Sequence, residues 1–307
     1  MISSPVLESV ISLFLIILVG VYASRKKIIT EDLNQGLVNL LIQIVLPVMI
    51  LSSFIYSYDQ SIKSEVVKTF YYSLIAYLLM FSASYLLLLP FKSEKKIILH
   101  FANVFPNTGY VGFPVLYSIY GTEGIVYGSV FNLFFVIFVW TYGIFIYRGS
   151  LDKTNLKQEL KQTFLNPSVL AVGIGLIIMT LNLQLPNSLI TSIKNIGNIT
   201  GPLSMLIIGV ILSKAKIGNY TKDWTLYYGA ICKLLLIPII VYLISLLTGQ
   251  SSKAINSVII MTAMPASAMT SILAQNYNRE TDYAAVIVSL TTLFSILSIP
   301  VLLKIIL

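Results

Sequence analysis

The residues best suited to hold a solute are uncharged amides and hydroxyls placed beside helix-breaking prolines. Residues 103–114, NVFPNTGYVGFP, set Asn103, Asn107 and Thr108 around Pro106, with Gly109, Gly112 and Pro114 close behind. Residues 263–270, AMPASAMT, set Ser267 and Thr270 beside Pro265, and Asn132 stands in the middle of another apolar run. An amide offers two donors and two acceptor lone pairs without a charge to desolvate. A proline removes one N–H and clashes with the carbonyl four residues back. A helix that restarts after such a break presents free N–H groups and a partial positive charge. The preceding half-helices end at the same place, so the dipoles partly cancel. The pattern predicts a weak, water-exposed site for a carboxylate or similar anion.

Other chemistries lack their residues. All 12 Asp and Glu fall in loops or near helix ends, so no carboxylate sits where a proton relay or cation pair inside a membrane would need one. The single Cys232 excludes an internal disulfide and a Cys-based metal cluster, and the single His100 excludes a His-rich metal or relay site. Intramembrane aspartyl and zinc proteolysis lack their residues in the same way, and a Ser-His dyad has only His100, near the cytoplasmic end of helix 4, to draw on, so no enzyme activity, metal or cofactor is expected. Lys233 is the base inside an apolar run near a predicted cytoplasmic end; it reads as snorkelling to that surface or as attracting an anionic substrate there.

These residues must be positioned by membrane helices. The chain has 307 residues, 57% hydrophobic and 10% charged, with mean hydropathy +0.87. Soluble domains average roughly 25% charged residues. Ten apolar segments cover about 5–22, 33–56, 66–90, 97–118, 124–147, 165–183, 194–213, 225–248, 254–275 and 281–306. Each approaches the ~20 residues that a ~30 Å hydrocarbon core requires. The N-terminus lacks the basic start of a cleavable signal, so the first segment reads as a retained helix. Of the 20 Lys and Arg, 14 follow odd-numbered segments and four follow even-numbered ones. The positive-inside rule then places both termini outside and the odd connections in the cytoplasm. The +8 net charge reflects this distribution and not nucleic-acid binding.

Five helices precede a central cytoplasmic linker, 148–164, and five follow it. The second half, 165–307, therefore enters from the side opposite to the first, 1–147, and any internal repeat is inverted. Pro5, Pro47, Pro90 and Pro106 pair with Pro167, Pro202, Pro238 and Pro265 at offsets of 162, 155, 148 and 159. Helices 4 and 9 are both interrupted near mid-membrane, with Asn107 roughly 15 Å in at 1.5 Å per residue. Paired discontinuous helices in inverted repeats point to a secondary transporter.

The motifs PNTGYVGFPVL and YGTEG on helix 4, IVLPVMIL on helix 2, LNPSVL opening helix 6, and AMPASAMTSILAQNYN with AAVIVSLTTLFSILSIP on helices 9 and 10 together resemble the auxin efflux carrier family over essentially the whole chain. The resemblance implies an all-α polytopic membrane protein with a five-plus-five inverted repeat, similar to sodium/bile acid symporters and sodium/proton antiporters. It implies a scaffold of helices 1, 2, 6 and 7 and a mobile transport domain of helices 3–5 and 8–10, with helices 4 and 9 crossing at Pro106-Asn107 and Pro265. It implies elevator-type movement of organic anions, a homodimer and a multi-pass location in the cell membrane, with H⁺ or Na⁺ as coupling ion. The chain lacks the long central loop of plant members, so regulation by phosphorylation of that loop is excluded and a compact bacterial-type member is indicated. Two rivals stay open: a sodium-coupled symporter of the bile-acid type, and a membrane sensor that binds a ligand without moving it.

Overall fold

The computed structural model describes residues 4–55, 60–91, 94–149, 161, 164–214, 217–220, 222–247 and 252–307. Most of the linker predicted at 148–164 lies outside the described residues. The described chain is helical, and its bridge pairing is an isolated one between Pro106 and Ala266. Six stretches are long and apolar enough to cross a membrane: Glu31–Phe54, Ile62–Leu87, Thr108–Arg148, Asn187–Ser213, Trp224–Leu247 and Thr281–Ile306.

The 41-residue stretch is a hairpin, not one rod. Gly121 has φ 60° and ψ −139°, which L side chains rarely adopt. A Cβ on Gly124 would lie 2.6 Å from the Leu116 carbonyl, and one on Gly128 would lie 2.7 Å from the Leu116 side chain, so the chain folds back on itself. We label the elements α1 (Ser4–Arg25), α2 (Glu31–Phe54), α3 (Gln60–Leu87), α4a (Lys95–Val104), α4b (108–120) and α5 (122–148). The remainder are α6 (Pro167–Leu181), α7 (Asn187–Ser213), α8 (Trp224–Leu247), α9a (Lys253–Thr262), α9b (Met269–Asn276) and α10 (Thr281–Ile306).

Prolines shape these helices in two ways. In α2, α4b and α8 a wide π-turn, at Leu41–Val45, Thr108–Gly112 and Cys232–Leu236, ends two residues before Pro47, Pro114 and Pro238. The wider turn moves the carbonyl that each proline ring would strike, so the helix continues. At Pro106 and Pro265 the helix stops instead: Phe105 turns to the extended φ −106°, ψ 95°.

Lipid tails are as apolar as the side chains, so helices here associate by close packing. α1 and α7 meet at Gly20 and Gly209, where a Cβ on Gly209 would lie 2.2 Å from the Ile17 carbonyl. α2 packs on α6 and α7; Gly175 and Gly197 admit Phe54 and Met49. Within the same core, aromatic rings join α3 and α5 to Phe105 at the end of α4a, with Tyr77 stacked on Phe131 at 4.8 Å and Phe81 edge-on to Phe138 at 5.2 Å.

The polar ends sort into two groups. Lys95 pairs with Asp223 (2.7 Å) and Arg279 with Glu94 (3.4 Å), while Ser213 donates to Ser24 at 2.6 Å. Lys253 pairs with Glu123 (3.0 Å) and Lys63 donates to Asn182 (3.1 Å). The first group joins connections after odd-numbered helices, and the second joins even-numbered ones.

Candidate functional site

The two interrupted helices meet through their broken backbones. The Asn107 N–H donates to the Pro265 carbonyl at 2.7 Å, and the Ser267 N–H donates to the Phe105 carbonyl at 2.9 Å. Each break thus supplies hydrogen-bond partners for the other, which is how irregular backbone survives inside a buried bundle. The Ala266 N–H, also displaced from its helix, donates to Thr291 Oγ1 on α10 at 3.2 Å. Thr291 had no sequence signal to separate it from the other hydroxyls of its helix. Gly112 is small because α9a passes close by: a Cβ there would meet Met261 Sδ at 2.5 Å.

A cavity of about 300 Å³ opens at this crossing. Asn107, which caps α4b, Thr108, Gly109 and Tyr110 of α4b, Asn132 and Trp140 of α5 and Ser267, Ala268 and Met269 at the start of α9b line one side. Gln43 and Leu46 of α2 and Asn166 and Ser168 at the start of α6 line the other. Asn107, Tyr110, Ala268 and Ile272 also wall a second cavity of about 670 Å³, which runs past α7 and α10 to Glu31 and Asp282. A third, of about 470 Å³, lies between α1, α2, α4b and α7 and includes Lys194 and Thr122.

The amides at the smaller cavity share one polarity. Asn107 Oδ1 accepts from the Tyr110 N–H at 3.0 Å, capping α4b, and a backbone N–H there requires the oxygen on that side. Asn132 Oδ1 accepts from Thr108 Oγ1 at 2.7 Å, and Asn166 Oδ1 caps α6 through the Ser168 N–H at 2.9 Å. With the three oxygens engaged, each side chain has its NH₂ left to present. The Ala268 N–H has no hydrogen-bond partner among the described residues, and Ser267 Oγ accepts from Met269, leaving its proton to donate. The lining contains no Asp or Glu. The cavity is rich in donors and free of carboxylates, which suits an acceptor-rich, anionic ligand.

The expected site residues therefore divide. Asn107, Thr108, Asn132 and Ser267 converge on one cavity, with Gly109 beside them. Asn103 and Thr270 do not line it. Both are fully buried, and among the described residues neither side-chain polar atom of Asn103 nor Thr270 Oγ1 has a hydrogen-bond partner. Thr270 contributes its carbonyl, which accepts from Tyr147 OH at 3.0 Å. Pro106 and Pro265 make the breaks, whereas Pro114 sits inside a continuing helix.

A family model described as membrane transport protein matches residues 5–303. The chain belongs to this family, which is of the auxin efflux carrier type. Across it the chain is 25% identical over 300 residues to an uncharacterized transporter of Methanocaldococcus jannaschii, covering 95% of this chain and 96% of that one. It is 23% identical over 299 residues to an uncharacterized transporter of Methanothermobacter thermautotrophicus, with the same coverage of each chain. This member of the family is a multi-pass membrane protein of the transport class.

One reading of the sequence is corrected by position. Lys233 does not snorkel: it is 0% exposed, and its Nζ turns inward. The helix register was legible, but the π-turn that carries Lys233 toward α4a and α9a was not.

Proposed function

We propose that the protein is a secondary transporter of small organic anions and that the cavity at the α4/α9 crossing is its substrate site. The observation that carries this reading is the shared orientation of the Asn107, Asn132 and Asn166 amides. Their oxygens are held by Tyr110, Thr108 and Ser168, and their NH₂ groups are left as donors. A volume of about 300 Å³ is at the small end of ligand pockets, roughly 300–1,000 Å³, and suits a small carboxylate. Such a site binds without a fixed charge, so release does not require breaking a buried ion pair.

Counting the Gly121 hairpin as two passes and each broken helix as one gives ten passes in two inverted halves. The pairing of odd with odd and even with even connections supports that count. The Lys and Arg bias supports external termini and cytoplasmic odd connections. Helices α1, α2, α6 and α7 would form the scaffold and α3–α5 with α8–α10 the transport domain. The cavity lies between these groups, which supports elevator-type alternating access. The helix arrangement favours transport over sensing, and a homodimer through the scaffold is the expected assembly.

Counterflow of radiolabelled mono- and dicarboxylates into proteoliposomes tests the reading. The wild-type protein exchanges at least one of them, and Asn107→Ala loses that exchange while remaining folded. Undiminished exchange by the variant overturns the site assignment, and absence of exchange with every carboxylate overturns the substrate class.

A further inference from the structure

The cavity of about 670 Å³ beside the crossing has the opposite chemistry to its smaller neighbour. Glu31 of α2 and Asp282 of α10 line it, and among the described residues no Lys or Arg does. Each carboxylate stands in the first turn of its helix, where it also complements the helix dipole. The Asp282 carboxylate has no ion-pair partner among the described residues. Lys95, at the same end of the molecule, is held by Asp223 at 2.7 Å and does not line the cavity. Deeper in, Ser289 Oγ donates to the Ala285 carbonyl at 2.9 Å and Thr292 Oγ1 to the Val288 carbonyl at 2.7 Å. With those protons committed, both hydroxyls have lone pairs to offer the cavity. A separate sign of a ligand comes from Asn34 on the same wall. It is 9% exposed, and its amide oxygen has no hydrogen-bond partner among the described residues. A buried acceptor without a donor costs about 1–3 kcal/mol, which a ligand N–H recovers.

We propose that this cavity is a second ligand site, for an aliphatic ammonium ion. The acceptors call for a cation with N–H groups, and their spacing excludes a bare metal ion. Asp282 and Thr292 are ten residues apart on α10, roughly 15 Å at 1.5 Å per residue. A dehydrated metal cation needs its oxygens gathered in one shell at about 2–2.6 Å. Between the acceptors the wall is apolar: Ile208 and Ile211 of α7, Ile272 of α9b, and Val286 and Val288 of α10. Such a wall takes an alkyl chain while the charged head stays at the carboxylates, as a lysine stem does on a protein surface. The volume lies within the range of organic ligand pockets, roughly 300–1,000 Å³. The ammonium site stands without the anion reading. Its consequence for transport rests on that reading: an occupant touching both α2 and α10 ties together the two groups of helices that alternating access must move apart.

The test is equilibrium dialysis of radiolabelled n-butylammonium against the purified full chain in detergent, with empty micelles as the reference. The wild type binds it saturably, and unlabelled butylammonium displaces it. NaCl and choline chloride at equal ionic strength do not. Glu31→Gln with Asp282→Asn weakens binding at least tenfold, as expected when charge-assisted bonds are lost. Asn34→Leu also weakens it, by several-fold. That variant removes an acceptor that has no donor in the protein, so it melts no lower than the wild type and its loss of binding is not loss of fold.

Butylammonium that the wild type does not retain above empty micelles overturns the proposal. So does binding that the doubly neutralised variant keeps in full. Displacement by NaCl as effective as by unlabelled butylammonium overturns the ligand class, since the site then takes a metal cation. Should the double variant fail to fold, Asn34→Leu and the sodium competition decide. Carboxylate counterflow separates this inference from the proposed function. With saturating butylammonium on both sides, wild-type counterflow slows at least twofold and that of the double variant does not. Unslowed wild-type counterflow overturns the tie between α2 and α10. Counterflow absent with every carboxylate removes the anion reading and leaves dialysis to judge the ammonium site.

Discussion

The Asn107 side chain and the Tyr110 backbone are joined by a 3.0 Å hydrogen bond in which the amide oxygen accepts. That bond fixes which end of the amide is left for a ligand. Asn107→Asp keeps an acceptor for Tyr110 but removes the donor and adds a negative charge. The aspartate variant is expected to fold with near wild-type stability and to lose anion exchange at least tenfold. Asn107→Ala loses the cap as well, at about 1 kcal/mol of stability. Circular dichroism melts beside counterflow separate the two effects.

Trp140 lines the crossing cavity, and the chain's other tryptophan, Trp224, is 64% exposed at the start of α8. In a Trp224→Phe background, the emission of Trp140 should change saturably with a transported carboxylate. The change should disappear when Asn107→Ala is added. An unchanged spectrum at saturating substrate would place the substrate elsewhere.

Thr291 holds the Ala266 N–H in a site with no water access from the surface, its hydroxyl being fully buried. Thr291→Val keeps the shape and strands that donor, at a cost of about 1–3 kcal/mol. Thr291→Ser restores the bond and most of the stability. A valine variant as stable as the wild type in a melt would show that the α9 break does not depend on α10.

Gly209 admits the α1 backbone, with Ile17 O so near that no side chain fits without moving a helix. Gly209→Ala should therefore lower the melting midpoint by several degrees, corresponding to roughly 1–3 kcal/mol for overpacking. Gly36, whose Cβ would meet nothing within 4 Å, provides the control: Gly36→Ala is neutral or slightly stabilising.

The Lys95–Asp223 pair joins the starts of α4a and α8 at 2.7 Å. Burial pushes the Asp223 carboxyl up, but hydrogen bonds from Lys95 and Thr225 outweigh it and hold the group below the ordinary carboxylate value. A depressed folded value means the stabilisation is present above the ordinary carboxylate pKa. It fades as pH falls through the depressed value. Asp223→Asn should abolish that part of the acid sensitivity and cost about 0.5–1 kcal/mol at neutral pH. Melts across the acid range check both.

Much of this protein was legible because membrane helices announce themselves. Apolar runs, the Lys and Arg bias and the prolines at 106 and 265 follow from local rules: a bilayer demands length, and a proline cannot donate. They marked where each helix runs and where two of them break. The pairing of the breaks was readable only as equal depth.

What the sequence by itself determined is that the chain is a membrane protein with two polar breaks and no buried carboxylate. Only the tertiary structure decided how those polar groups are spent. Asn107, Asn132 and Asn166 each turn an oxygen inward because a particular N–H or O–H, three, 24 and two residues away, is there to take it. Asn103, one helical turn before Asn107, faces packed protein and misses the cavity. Lys233 reaches two carbonyls 130 and 29 residues away. Hydrogen-bond partners that distant leave no periodic trace along the chain, since what joins them is the packing of helices and not their order.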